Sequence, residues 1–353
     1  MPNESDPADS ITSSRGAGRR PPLRRRLLPV VSLLLLAPWA AECSWGGFAL
    51  DGFLPVVIAL GPMYGGAAIL IRETSRRLGA GWPAIVLLAA AFGVLQAGLV
   101  DQSLFNPGYL DDTQYADTRA AAEASLVPGL GFSLRQAFDY VGNHILLTIC
   151  APIVLVESFL GADRRHRPWL GRPGLAVVGV LYLLGSLLVF SSPEGRKNFL
   201  VSPLQLTFAT VVILALVAAA LLPRWRRSRP RRHRRVPPAL GVGLLVVLAH
   251  LGTDPTPGWA GVGVALALAA TVGGLIAYWS AGVNWGQRHV LAAGSASVVS
   301  AAAFAYLVPP YSPASPAAAL AGDIAVSVIT VALVGGAWWR LRGASPAGHV
   351  AAG

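Results

Sequence analysis

Residues Ile69–Tyr109 read ILIRETSRRLGAGWPAIVLLAAAFGVLQAGLVDQSLFNPGY, and this alternation of charge and apolar sequence decides the fold class. An apolar run ends in Arg72, Glu73, Arg76 and Arg77. A glycine turn follows, then Trp82 and Pro83 open a second apolar run that lasts to Val100 and closes in the turn-rich SLFNPGY. At 1.5 Å per residue a helix of about 20 residues rises ~30 Å, the thickness of a bilayer's hydrocarbon. The stretch therefore predicts two antiparallel membrane spans joined on the basic side.

The whole chain repeats the pattern. Of 353 residues, 54% are hydrophobic and only 13% charged, against about 25% charged in soluble domains, and the mean hydropathy is +0.56. Apolar runs fall at 27–41, 53–71, 82–100, 138–160, 170–190, 203–222, 237–251, 258–279, 289–308 and 318–339. They predict an all-α, polytopic transmembrane helix bundle of about ten spans, with 27–41 and 237–251 the shortest. The chain divides into a disordered cytoplasmic tail (1–26), a six-span membrane region (27–222) with an outer loop at 101–137, an Arg-rich cytoplasmic loop (223–236), a four-span membrane region (237–342) and a short tail (343–353). The run 27–41 also resembles a signal segment ahead of AAEC, but Glu42 stands where cleavage wants a small residue, so a retained first span is expected.

Charge sets the orientation. The net charge is +11, and of 28 basic residues 24 fall on one side of the alternation; only Arg119, Arg135, Arg196 and Lys197 fall on the other. Basic loops face the cytoplasm, so both termini are expected there, in a multi-pass protein of the bacterial plasma membrane. The arginines are short clusters between apolar runs, a placement that suits anionic lipid headgroups at Arg72, Arg76, Arg77 and Arg224–Arg235 and does not suit nucleic acid. Glu73 and Arg77, four apart, can pair on one helix face and leave Arg72 and Arg76 for lipid phosphate.

Ionisable groups in hydrocarbon are costly and mark partners or function. Glu42, Gln96, His144 and Asp323 share one outer-leaflet depth: ~22 Å and ~21 Å from the inner starts of spans 1 and 3, and ~9 Å and ~8 Å below the outer starts of spans 4 and 10. Asp101 and Asn106 stand at the outer mouth beside them. Ala89, Gly93 and Ala97 make a small-residue ladder bordering Gln96, and Tyr140, His144 and Thr148 form a polar stripe. A Glu42–Gln96–His144 contact can form, since consecutive helices are usually neighbours. Glu157, at the inner end of span 4, is expected to pair with the basic run Arg164–Arg167. His250 is a more distant polar group. No metal-ligand spacing is present, no cofactor is implied, and Cys43 and Cys150 lie apart in apolar contexts. The acidic loop 101–137 is either a solvated connector or a small outer cap.

Six stretches carry a resemblance: APWAAE (37–42), MYGGAAILIRETSRR (63–77), GWPAIVLLAAAFG (81–93), QSLFNPGY (102–109), NHILLTICAPIVLVE (143–157) and PWLGR (168–172). Together they resemble a family of uncharacterised polytopic bacterial membrane proteins, itself distantly similar to the CAAX-protease and bacteriocin-processing superfamily of membrane metalloproteases. The resemblance implies a Glu-Glu pair where this chain has Gln96-Ala97, followed by a histidine that corresponds to His144. Gln96 is no carboxylate base and Ala97 is no ligand. The expectation is a non-enzymatic membrane protein with a polar outer-leaflet site for a small molecule or lipid; the alternative is a degenerate relative of those proteases.

Overall fold

The computed structural model describes residues 23–226, 231–252, 256 and 258–342. The tail up to residue 22, the four residues 227–230 of the Arg-rich loop and the tail from 343 lie outside the described residues. Nine helices are long and apolar enough to cross a bilayer among them: α1 (Arg26–Cys43), α2 (Leu50–Arg77), α3 (Trp82–Val100), α4 (Leu134–Ser158), α5 (Arg172–Ser191), α6 (Pro203–Ala220), α8 (Gly258–Ser280), α9 (Gln287–Leu307) and α10 (Pro316–Arg342). A shorter apolar helix, α7 (Ala239–Leu251), precedes α8. The all-helical class follows from a constraint of lipid: a backbone without water must satisfy its own hydrogen bonds.

All ten predicted runs become helices, with shifted ends. Helix α1 continues past Ala41 and includes Glu42. Helix α2 runs on through Arg72–Arg77, because those arginines are paired inside the protein instead of ending the helix in water. Helix α4 begins at Leu134, where the Ser133 hydroxyl caps the first turn by accepting from the Gln136 N–H at 3.2 Å. Four helices form the centre, α1 to α4, with α9 against α4: a Cβ at Gly294 would lie 2.6 Å from Val154. Helices α1 and α2 meet so closely that a Cβ at Gly65 would lie 2.4 Å from the Leu34 carbonyl oxygen. Gly93 similarly seats α4, since its Cβ would stand 3.2 Å from the Cβ of His144. By contrast α5 and α6 leave Leu183, Leu184, Leu187, Leu188, Val211 and Leu214 exposed, the character of a lipid-facing surface.

An ion-pair network closes the end of this centre that carries Arg72–Arg77, the end the basic loops predict to be the inner one. The Glu157 carboxylate accepts from Arg72 Nε at 3.1 Å and from Arg76 Nη2 at 2.7 Å. Glu73 binds Arg72 Nη1 at 2.7 Å and Arg77 Nη1 at 2.9 Å, and also accepts the backbone N–H groups of Trp169 and Leu170. Arg72 stacks on the Trp169 ring, 3.4 Å from its centroid. Arg72, Glu73 and Glu157 are no more than 1% exposed. Two expectations are corrected. Glu157 pairs with Arg72 and Arg76, and the loop residue Arg165 instead donates to the Glu157 and Leu160 carbonyls. Arg72 and Arg76 are buried, with their guanidinium groups turned to Glu73, Glu157 and the Arg165 carbonyl, which takes them away from lipid phosphate; Arg77 alone of the three keeps substantial exposure.

The outer loop 101–137 is folded. Phe105 is buried and packs edge-on to Phe132, the Gln102 side chain accepts from the Val201 N–H, and a short helix, Thr118–Glu123, is fastened by Arg119 to Asp111 and Glu123. Tyr115 and Tyr311 pack with Trp45 over the outer ends of α1 and α10. The loop is a cap.

Removing one member of a buried ion pair strands its partners. Glu157→Gln is expected to cost about 3–5 kcal/mol, read as a lowered denaturation midpoint of the detergent-purified protein; a loss within about 1 kcal/mol, as for a surface pair, would count against the network as the lock of the inner end.

Candidate functional site: a polar cluster at four helix breaks

Each of the first four helices carries one π-helical segment: Trp39–Cys43, Gly61–Gly65, Gln96–Val100 and His144–Cys150. The wider turn is visible in bonds that skip five residues, from Ser44 N–H to the Trp39 carbonyl and from Asp101 N–H to the Gln96 carbonyl, both 3.0 Å. The sequence favours the breaks. Pro38 precedes the first, Pro62 lies within the second and Pro152 follows the fourth, and each lacks the N–H that a regular helix would use. The third has no proline; there Gly98 sits at the contact with α6 and Asp101 closes the turn.

These breaks hold the polar side chains. Glu42 lies in the first and accepts a hydrogen bond from the Tyr64 hydroxyl of the second at 2.8 Å. Gln96 opens the third and donates its Nε2 to Asp101 at 3.2 Å, while the other Asp101 oxygen accepts the Ser103 N–H at 2.9 Å. His144 opens the fourth, with Nδ1 3.2 Å from the Thr148 hydroxyl. The Tyr64 and His144 rings are 5.5 Å apart, and Phe92 packs against both. Tyr64 thus joins Glu42 to His144, while Gln96 bonds Asp101 instead of either. π-Segments occur disproportionately at functional sites, and here four meet.

Three tyrosines complete the cluster from the outside. Tyr109 and Tyr140 pack edge to face at 6.4 Å, and the Tyr109 hydroxyl donates to the Gly195 carbonyl. Burial and the nearby carboxylates of Asp101 and Glu42 hold the phenols of Tyr109 and Tyr311 well above their usual range. Burial also pushes the Asp101 carboxyl up to about 6, against the bonds from Ser103 and Gln96 that lower it. Among the described residues seven buried side-chain polar atoms have no hydrogen-bond partner: Gln96 Oε1 and the Tyr140 hydroxyl in this cluster, and Trp39 Nε1 and the hydroxyls of Ser75, Ser186, Ser300 and Thr330 elsewhere.

Other expected members stand apart. Asp323 is half-buried on α10, next to Gly322, which packs on the Phe48–Leu50 backbone. Asn106 uses its side-chain oxygen to accept the Gly108 N–H at 3.0 Å, fixing the NPG turn. His250 lies edge-on to Phe304 on α9. Tyr64, Tyr109 and Tyr311 were not anticipated, since tyrosine reads as part of an apolar run or an interfacial belt; the signal was a tyrosine set in the helix-breaking GPMYGG. Among the described residues no three His, Cys, Asp or Glu side chains converge as a metal site would require, and the residue after Gln96 is Ala97.

Compared with protein families, with curated proteins and with solved structures, the chain matches none.

Asp101 makes a pH-dependent contribution whose sign is fixed. Its carboxyl holds a proton in the folded protein up to about pH 6, above the 3.8 of an unperturbed side chain, so the folded state binds more protons between those values and is stabilised at the acid end. Stability is lost as pH rises through that interval. Thermal midpoints measured from pH 4 to 6.5 should therefore fall for the wild type relative to Asp101→Asn; parallel curves would refute it.

Proposed function

We propose that this chain is a plasma-membrane protein of ten crossings, with both termini in the cytoplasm, that binds a small molecule non-enzymatically at the cluster of Glu42, Tyr64, Gln96, Asp101, Tyr140 and His144. The 24 basic residues on one side of the alternation support the orientation. Helix α7, about 20 Å long at 1.5 Å per residue, supports a tenth crossing through its packing on α9, where Gly243 approaches Ala292. The exposed arginines Arg224, Arg231, Arg232 and Arg235 suit anionic headgroups. In intact cells, a membrane-impermeant maleimide should label Asp117→Cys and spare Arg232→Cys until the membrane is opened, with the native Cys43 and Cys150 silent because they are buried. Labelling of both in intact cells would reverse the assignment.

One observation carries the binding reading. The cluster is assembled at four helix breaks yet leaves Gln96 Oε1 and the Tyr140 hydroxyl unsatisfied. A buried polar atom left unpaired costs about 1–3 kcal/mol, and this cluster holds two of the seven such atoms among the described residues together with two carboxylates that have no ion-pair partner. The degenerate-protease alternative draws less support, since Ala97 and the bond between His144 and Thr148 leave no convergent donor set.

Thermal denaturation of the purified protein against small molecules of each charge type tests this. At least one should raise the midpoint, and Tyr64→Phe, which frees Glu42, should weaken that gain about tenfold, the equivalent of about 1.4 kcal/mol. A panel without any stabilising compound would reject the site.

A further inference from the structure

We propose that the outer cluster takes a cation with N–H donors, a primary or secondary ammonium, held between Glu42 and Asp101 with Gln96 Oε1 as a third acceptor. This rests on the binding reading above and names its ligand class.

The first support is charge. Among the described residues neither carboxylate has an ion-pair partner: Glu42 accepts from Tyr64, and Asp101 from Gln96 and the Ser103 backbone. Lys197, a cation near this cluster, lies 5.9 Å from the Tyr109 ring and is already paired with Asp112. Buried charges are normally paired or bound to an ion, and this protein does pair its others: Glu73 and Glu157 have three arginines between them.

The second support is independent of charge. Gln96 is 1% exposed, and its Nε2 is committed to Asp101, which as a carboxylate can only accept. That fixes the amide's orientation and leaves Oε1 a buried acceptor without a donor. An acceptor asks for a donor, and an ammonium supplies up to three donors and no acceptor. The third support is the wall. Two aromatic pairs, Tyr64 with Phe92 and Tyr109 with Tyr140, belong to the cluster, and aromatic rings attract cations. His144 belongs to this wall, with Nδ1 occupied by Thr148. Glu42 keeps partial exposure, so the cluster is reachable.

The experiment uses the full chain in detergent and five probes: n-butylammonium, tetramethylammonium, the neutral N-butylacetamide, butyrate and sodium chloride. n-Butylammonium should raise the thermal midpoint in a saturable way while the amide and butyrate do not. Its apparent affinity should fall about tenfold or more in Glu42→Gln, Asp101→Asn and Gln96→Leu, as expected for losing a hydrogen bond to a charged group, and be unchanged in Glu194→Gln at the outer surface. Stabilisation by the amide or butyrate instead would overturn the charge class and leave the binding reading standing. Equal stabilisation by tetramethylammonium would overturn the need for N–H donors, and protection by sodium alone would overturn the ammonium. If no probe of any charge acts, the binding reading fails with it. Should a variant not fold, the contrast between n-butylammonium and its neutral amide on the wild type still decides.

Discussion

Glu157 faces two guanidinium groups in a place closed to water, and the rest of the centre depends on that contact. A carboxylate there is tolerable only with its partners, and the partners come from another helix, Arg72 and Arg76 of α2. The contact therefore sets the register of α2 against α4. A slip of one turn, about 5.4 Å, would part all three charges at once, so the energy of misregister rises steeply. The same two helices carry Tyr64 and His144 toward their outer ends, 5.5 Å apart between ring centroids. The inner lock is thus what lets two side chains from distant parts of the sequence hold one geometry at the outer site.

The helix breaks impose a second constraint. In hydrocarbon a broken helix must find partners for what it loses, and irregular backbone survives there only inside protein. All four π-segments lie in the central helices α1 to α4, and none among the described residues lies in the lipid-exposed α5, α6, α8 or α10. Trp39, Tyr64, Ala97 and Leu147, one from each segment, are all buried. Breaking the ladder at one level in four neighbouring helices turns a patch of otherwise apolar helix surface into a place where polar side chains converge.

Much of this was legible. Ten apolar runs are visible in composition and length, and all became helices, because lipid leaves a hydrophobic run of that length few alternatives. The grouping of Glu42 with His144 was partly legible, since rise per residue is nearly constant, and Tyr64 lies against both. What position along a helix does not give is azimuth, so the sequence could not say which of the polar groups share a face. The π-turns were hidden: an extra residue in one turn leaves hydropathy untouched, and only Pro38, Pro62 and Pro152 hint at it. The arginines of α2 misled for a related reason. Hydropathy reads Arg72 and Arg76 as an exit from the membrane, while their real partner is 81 or more residues away in sequence, on Glu157.

The two ends of the bundle, taken together, bear on what the outer one is for. Helix glue is satisfied glue: polar groups that merely join helices are selected to pair with each other, since every unpaired one subtracts from the stability they exist to provide. The inner network meets that standard, with both carboxylates answered by arginines and by backbone N–H groups. The outer cluster, built on the same helices, does not: two carboxylates without a cation, a glutamine oxygen and a phenol without partners, and a wall of aromatic rings. A chain able to balance charge so completely at one end has the means to do so at the other. The proposed binding site rests on that imbalance, and its sign, its acceptor and its rings are why an ammonium is the ligand class proposed for it.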